Sequence, residues 1–307
     1  MSWEDNDHQY RRHRFRRYLR RSVVWAFRLC LILLIPLLCL CAWYFYLSAQ
    51  YDLSQVASMP ERSVLLDRRG NEIATIHGSN RRLLTREQIP PFLVEALYAR
   101  EDASFPDHPG IDVRGLARAT VRNLVDRDFT QGASTLTMQL ARNSFELRAM
   151  SLHRKFLEIA LTLRIEHRYS KDEILTHYLN RIYFGSGAHG LGEASLNYFG
   201  LRPGQLNKHE SALLVGIIRG PHAFSPFRHE ELARAQAREV LDRLVATRQM
   251  RPGERDLILQ QPLRLLSRKN RPSRSSHITA AVDRHLDVIL DEHQIASGGL
   301  HIHTTIN

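Results

Sequence analysis

Cysteine is nearly absent from this 307-residue chain. Its three cysteines, Cys30, Cys39 and Cys41, all fall inside one apolar run. No thiol is left to staple the rest of the chain, so the folded part must rest on its own core. Internal repeats and low-complexity tracts are also missing, which excludes a solenoid. Hydrophobic residues make up 43% and charged residues 24%, an ordinary globular balance with ample length for a core.

The net charge of +11 forms no basic stripe. Residues 1–28 carry eight arginines against Glu4, Asp5 and Asp7, a net +5, and the remainder is spread thinly. That pattern argues against nucleic acid as a partner. A basic tail beside an apolar run points to a bilayer instead. From Leu29 to Leu47 come 19 residues without charge, about one membrane crossing at roughly 1.5 Å per residue. Trp25, Trp43, Tyr44 and Tyr46 stand near the ends, where aromatic rings prefer the interface. The expected order is a basic cytoplasmic tail (1–22), a transmembrane helix (23–47) and a linker (48–62). By the positive-inside rule, everything after about Ser48 lies outside. A cleaved signal peptide is the rival. The run exceeds the usual ~7–15-residue core, and Ala49 offers no clean small-x-small site.

Beyond the linker, the 63–76 stretch reads as two short strands around a turn at Arg69-Gly70-Asn71. Pro90-Pro91 opens a helix from Phe92 to about Ser104, and Asp112 starts another with Leu116, Ala119, Val121 and Leu124 inward. Helices follow over 135–145 and 151–167, the latter expected to bury Leu152, Phe156, Ile159, Ala160 and Leu163. Ser170 and Glu173 form a capping box for the next, which runs to Tyr183. Further helices are expected near 188–198, 207–218, 230–248 and 276–293. The chain ends in a strand-like alternation, Gly298 to Asn307. The fold class is mainly α with minor β structure at the domain ends.

Four segments carry chemistry. They are Glu101-Asp102-Ala103-Ser104-Phe105-Pro106-Asp107-His108-Pro109-Gly110, Gln131-Gly132-Ala133-Ser134-Thr135-Leu136-Thr137-Met138-Gln139, Arg154-Lys155-Phe156-Leu157-Glu158, and Lys171 through Asn180 to Gly185. Each has a plain structural reading: an acidic helix end, an N-cap, a surface ion pair and a packed helix. Yet two carboxylates at a helix C-terminus oppose the helix dipole, a conflict expected at working sites. The Gly-Ala-Ser-Thr turn could hold a phosphate on its free N–H groups. Glu158, three and four residues after Lys155 and Arg154, faces both cations.

In order and spacing, these segments resemble the family 51 peptidoglycan glycosyltransferases, found in class A penicillin-binding proteins and in monofunctional transglycosylases. The resemblance runs from about Ser63 to Met250 and includes Gly190, Gly192, Tyr198-Phe199-Gly200 and the Glu210–Gly216 stretch. It implies a lysozyme-like glycosyltransferase domain (63–250) that polymerises lipid II, with inversion and loss of lipid pyrophosphate. The partners implied are lipid II, the lipid-linked glycan, the bilayer and other cell-wall synthesis proteins. Glu101 matches the general base, with Asp102 beside it favouring that role by like charge. Glu158 matches a second catalytic carboxylate facing the same groove. Arg154 and Lys155 match the phosphate site. Asp102, Phe105, Ser134, Thr135, Gln139 and Asn180 complete the implied substrate-binding set. A divalent cation, Mg or Mn, at the diphosphate is compatible with the pattern. Leu124, Val125, Phe129, Phe145 and Met150 would form an apolar jaw at the bilayer.

The sequence departs from the family pattern at Met138, where many members have a second Gln, and at Ala237-Arg238. Neither Ser-x-x-Lys nor Lys-Thr-Gly occurs. Residues 251–307 therefore read as a linker resembling the lead-in to a transpeptidase domain that this sequence does not contain. The expectations are a naturally short protein or a truncated one, and an end inside a linker-like strand favours truncation. A lysozyme-like glycan-cleaving enzyme and an inactive membrane-anchored scaffold are the rival functions.

Overall fold

The computed structural model describes residues 31–59, 63–76, 82–117, 134–147, 151–267 and 300–305, with the isolated positions 25, 28 and 282. The chain divides into two units, Met1–Tyr51 and Asp52–Asn307. In the first, helix α1 (Leu31–Ala49) is long and apolar enough to cross a membrane, with a mean hydropathy of 2.2 and only 6% of it buried. Cys39 and Cys41 are exposed free thiols on it. Exposed Leu and Ile side chains cover α1, as a helix that is apolar all round requires of a lipid-facing segment.

The second unit is mainly helical. A short helix α2 (Ser54–Ala57) precedes strands β1 (Ser63–Leu66) and β2 (Glu72–Ile76), which pair antiparallel. Asp67 closes their turn by accepting from the N–H groups of Arg69 and Asn71. Strand β3 (His301–His303) pairs parallel to β1, giving the order β2-β1-β3. The two ends of the unit thus meet in one small sheet; the sequence led to the expectation of β structure at each end but not of their pairing.

Between them lie α3 (Pro91–Glu101), α4 (Leu136–Ser144), α5 (Leu152–Arg168), α6 (Lys171–Arg181), α7 (Leu191–Phe199), α8 (Lys208–Ile217), α9 (Glu230–Ala246) and α10 (Pro252–Leu259). Their starts are written in the sequence. Pro91 stands at N1 of α3, and Thr135 caps α4 through Met138 N. Ser151 caps α5, and Ser170 with Glu173 forms the expected capping box on α6. Asp112 accepts from Gly115 N at the helical segment 113–117. The expected partners Ala119, Val121 and Leu124, and the 276–293 helix, lie outside the described residues.

Two helical groups form the body. Helix α8 packs on α3 and α9, and α4 packs on α5 and α6. Leu93 and Leu97, Leu213 and Leu214, and Val240 and Leu241 fill the first interior; Leu136, Leu140, Leu161, Ile165, Ile174 and Leu175 fill the second. One expected face is corrected. Helix α5 buries Leu157, Glu158, Ala160, Leu161, Thr162 and Ile165, whereas Leu152 is 78% exposed and Phe156 and Leu163 are also exposed. The inward stripe contains Glu158 and Thr162, which break the apolar pattern. An apolar count therefore chose the more uniformly apolar neighbouring stripe.

Candidate active site

An open cleft of about 490 Å³ lies where the ends of several helices meet. It is lined by Glu101, Ser134, Gln139, Arg142, Asn143 and residues that follow α6 and α8: Ile182, Tyr183, Ile218, Arg219 and Pro221. Glu101 is the last residue of α3. The unfavourable dipole at that position is offset by Arg219, whose Nε donates to Glu101 Oε1 at 2.8 Å. Arg219 is itself aimed by a second bond, from its terminal nitrogen to Arg100 O at 3.0 Å. Gln139 Nε2 donates to Glu101 Oε2 at 3.1 Å, and Tyr178 Oη donates to Gln139 Oε1 at 3.0 Å. Tyr178 is wholly buried, and burial followed by the nearby Glu101 charge pushes its hydroxyl well above the ordinary tyrosine range.

A cationic pocket forms the other side. Arg142 grips Glu158 with two bonds, at 3.1 and 3.2 Å, and Lys155 Nζ donates to Glu158 Oε1 at 2.7 Å. Lys155 also donates to Ser134 Oγ at 3.0 Å. Both cations keep about a third of their side-chain surface exposed, while Glu158 has none. Burial pushes the Glu158 carboxyl up, but hydrogen bonds and charge from Arg142 and Lys155 outweigh it, and the net direction is down. Glu158 is not among the residues that line the cleft. It is sealed behind two cations and sets their positions. The expected pairing of Arg154 with Glu158 is replaced by Arg142 from α4. Nε of Arg154 is buried without a hydrogen-bond partner among the described residues.

Four further residues of the expected set do not line the cleft. Asp102 does not stand against Glu101. The chain leaves the helix at Asp102, at φ −159°, and turns its side chain inward. There it accepts from His108 Nε2 at 2.9 Å and from Leu136 N at 3.0 Å, the free N–H at the start of α4. His108 Nδ1 accepts from Gly110 N, so the proton sits on Nε2 and the ring is neutral. Phe105 is fully buried, against Tyr98 and beneath Lys171 Nζ at 4.4 Å. Asn180 is buried, with its amide donating to Leu84 O and accepting from Leu84 N, both at 2.9 Å. Thr135 is buried as the cap of α4 and donates to Gly110 O. These four side chains are buried and are not among the residues that line the cleft. Of the sequence-derived set, Glu101, Ser134 and Gln139 line it, with Lys155 bonded to Ser134 at its edge.

Arg142 and Arg219 escaped the sequence reading. Arg142 lies three residues past Gln139, on the same face of α4, and helical spacing from Gln139 could have found it. Arg219 follows α8 in a Gly-Pro turn that carries no periodic signal. Among the described residues, no group of three or more His, Cys, Asp or Glu side chains could hold a metal. Of the expected apolar jaw, Phe145 is buried, and Leu124, Val125, Phe129 and Met150 lie outside the described residues.

The family pattern described as Transglycosylase matches residues 69–245, more than half of the chain and every element that lines the cleft. The chain belongs to the transglycosylase family. This transglycosylase is 42% identical over 175 residues to penicillin-binding protein 1A of Escherichia coli, covering 57% of this chain and 21% of that one. It is 41% identical over 199 residues to penicillin-binding protein 1B of Vibrio cholerae, covering 62% and 26%. Penicillin-binding protein 2D of Bacillus subtilis is 32% identical over 268 residues, 85% of this chain and 38% of that protein. The transglycosylase therefore spans well under half the length of these relatives.

Proposed function

We propose that this transglycosylase polymerises lipid II into glycan strands. The observation that carries the reading is one cleft holding a carboxylate, Glu101, together with the Arg142–Lys155 cation pair anchored on buried Glu158. A polymerase of lipid-linked sugars needs a base for the acceptor hydroxyl and a counter-charge for the departing diphosphate. Glu101 takes the proton from the 4-hydroxyl of the acceptor sugar. That oxygen attacks the anomeric carbon from the face opposite the diphosphate. The glycosidic bond forms, the carbon–oxygen bond to the diphosphate breaks with inversion, and its electron pair leaves on the lipid diphosphate.

Arg142 and Lys155 meet the charge that grows on that leaving group. They act in the transition state because Glu158 has already fixed them in place. Glu158 touches the cations and serves as a positioning residue. Its oxygens accept three hydrogen bonds from Arg142 and Lys155, so in this mechanism the side-chain cations carry the charge, and a divalent cation, Mg or Mn, would add to them at the diphosphate. Helix α1 anchors the protein in the cytoplasmic membrane, with the basic tail (1–22) inside and the catalytic domain (63–250) outside.

A glycan-cleaving enzyme has no use for the paired cations Arg142 and Lys155 held on Glu158, which favours the polymerase. Incubating the full chain in detergent with labelled lipid II, with and without a chelator of divalent cations, tests the reading. Polymer is expected in both arms. Cleavage of pre-made glycan without polymer formation would make it a hydrolase. Inertness toward both substrates would leave a scaffold.

A further inference from the structure

The carboxylate of Glu101 is held on both oxygens, and one of its holders is itself held from outside the cleft. Arg219 occupies Oε1 and Gln139 Nε2 occupies Oε2. A carboxylate paired with an arginine accepts hydrogen bonds, so Gln139 must turn its NH₂ group toward it. The other end of the amide, Oε1, then needs a donor, and Tyr178 supplies it at 3.0 Å. Tyr178 lies on α6, is 1% exposed and does not line the cleft. Its hydroxyl stays protonated far above neutral pH, so it is a donor throughout the working range.

Flipping the Gln139 amide would set its carbonyl against the Glu101 carboxylate. The same flip would leave the Tyr178 hydroxyl proton buried with no acceptor, which is costly. The two ends of the amide therefore enforce a single orientation. Rotation of α6, or loss of one oxygen atom from it, would be felt at Glu101 through two hydrogen bonds.

We propose that Tyr178 is a positioning residue of the reaction, acting through the Gln139 amide to fix the direction in which Glu101 presents its carboxylate. The inference rests on Glu101 being the base proposed above. Gln139 on this account aims the base and is not chiefly a substrate ligand. Losing the anchor costs rate more than substrate affinity, because Tyr178 does not itself line the cleft and reaches it only through Gln139. Misplacing a reacting group by about 1 Å costs up to about 100-fold in rate.

The test is a double-mutant cycle on lipid II polymerisation, using the full chain in detergent. Tyr178→Phe keeps the ring and removes only the hydroxyl. We expect it to lower kcat about 10-fold or more, with KM unchanged within twofold. In a Gln139→Ala background, the same substitution should change kcat by less than twofold, since the path to Glu101 is already cut. An equal loss in both backgrounds would assign Tyr178 a merely structural role and overturn the proposal, as would parental kcat in Tyr178→Phe.

A readout independent of turnover covers variants too weak to assay. In protein labelled with ¹⁵N at glutamine side chains, the Gln139 NH₂ resonance should be split by its bond to Glu101. It should collapse toward the free-amide position in both Glu101→Ala and Tyr178→Phe. An unmoved resonance in Tyr178→Phe would overturn the proposal even if the protein polymerised nothing. A parent chain without polymerase activity, with the resonance moving as expected, would instead count against the proposed function.

Discussion

Replacing Glu158 by Gln separates an anchor from a reacting group. Glu158 is wholly buried and holds Arg142 by two bonds and Lys155 by one. Gln keeps the shape and removes the charge, leaving two cations facing each other across the amide. Removing one partner of a fully buried pair costs about 3–5 kcal/mol. Here both cations are about one-third exposed, so water screens part of the loss, and about 1–3 kcal/mol is the reasonable range. For a domain of this size, that is a fall of roughly 3–10 °C in Tm. The freed cations also lose their aim, so polymerisation should drop about 10- to 100-fold and protection by inorganic pyrophosphate should weaken alongside it. Thermal unfolding, pyrophosphate protection and lipid II turnover on one preparation read all three. A variant that lost turnover while keeping parental Tm and pyrophosphate protection would refute the reasoning. It would show that the Glu158 carboxylate itself meets the substrate.

Asn180→Ala removes both bonds to Leu84 and should cost about 2–3 kcal/mol in urea unfolding, with kcat/KM of the folded fraction kept within about twofold. Gly110→Ala should destabilise by about 2–4 kcal/mol in the same assay. The backbone there has φ +94°, and the added Cβ would stand 2.7 Å from Thr162 Cγ2 and 2.8 Å from Glu166 Cγ. Acid should weaken the fold through Glu158 and Glu210. Both carboxyls are lowered in the folded state against the pull of burial, by bonds and charge from Arg142 and Lys155 and from Arg264 with Asn207. The unfolded chain then binds more protons, so their contribution is complete above the unfolded value of about 4.3 and is lost as pH falls through the lower folded values. Urea midpoints from pH 3 to 7 should be level above about pH 5 and fall below it, and Glu210→Gln should flatten that fall.

Helix starts were the most legible part of the fold, because caps are local. Ser170 with Glu173, Thr135, Ser151 and Pro91 announce their helices without help from the rest of the chain. The hairpin around Gly70 and the C-terminal strand were equally plain, though their joining through β1 is a tertiary fact. The buried face of α5 was not legible, since its inward stripe carries Glu158 and Thr162 and its outward stripe carries Leu152, Phe156 and Leu163. Nor could sequence tell which members of each motif reach the cleft. Adjacent residues at a helix end diverge, so Glu101 faces the cleft while Asp102 caps α4 from behind. Arg142 and Arg219 were missed because their partners, Glu158 and Glu101, lie 16 and 118 residues away.

The most direct measurement compares Glu101→Gln with the parent chain for polymerisation of labelled lipid II and for lipid II binding. The account predicts a fall in polymer of about a thousandfold or more with binding preserved, as expected when a base is lost from an intact cleft. Parental polymerisation by the variant would contradict it, because the reaction would then proceed without the group assigned to take the proton.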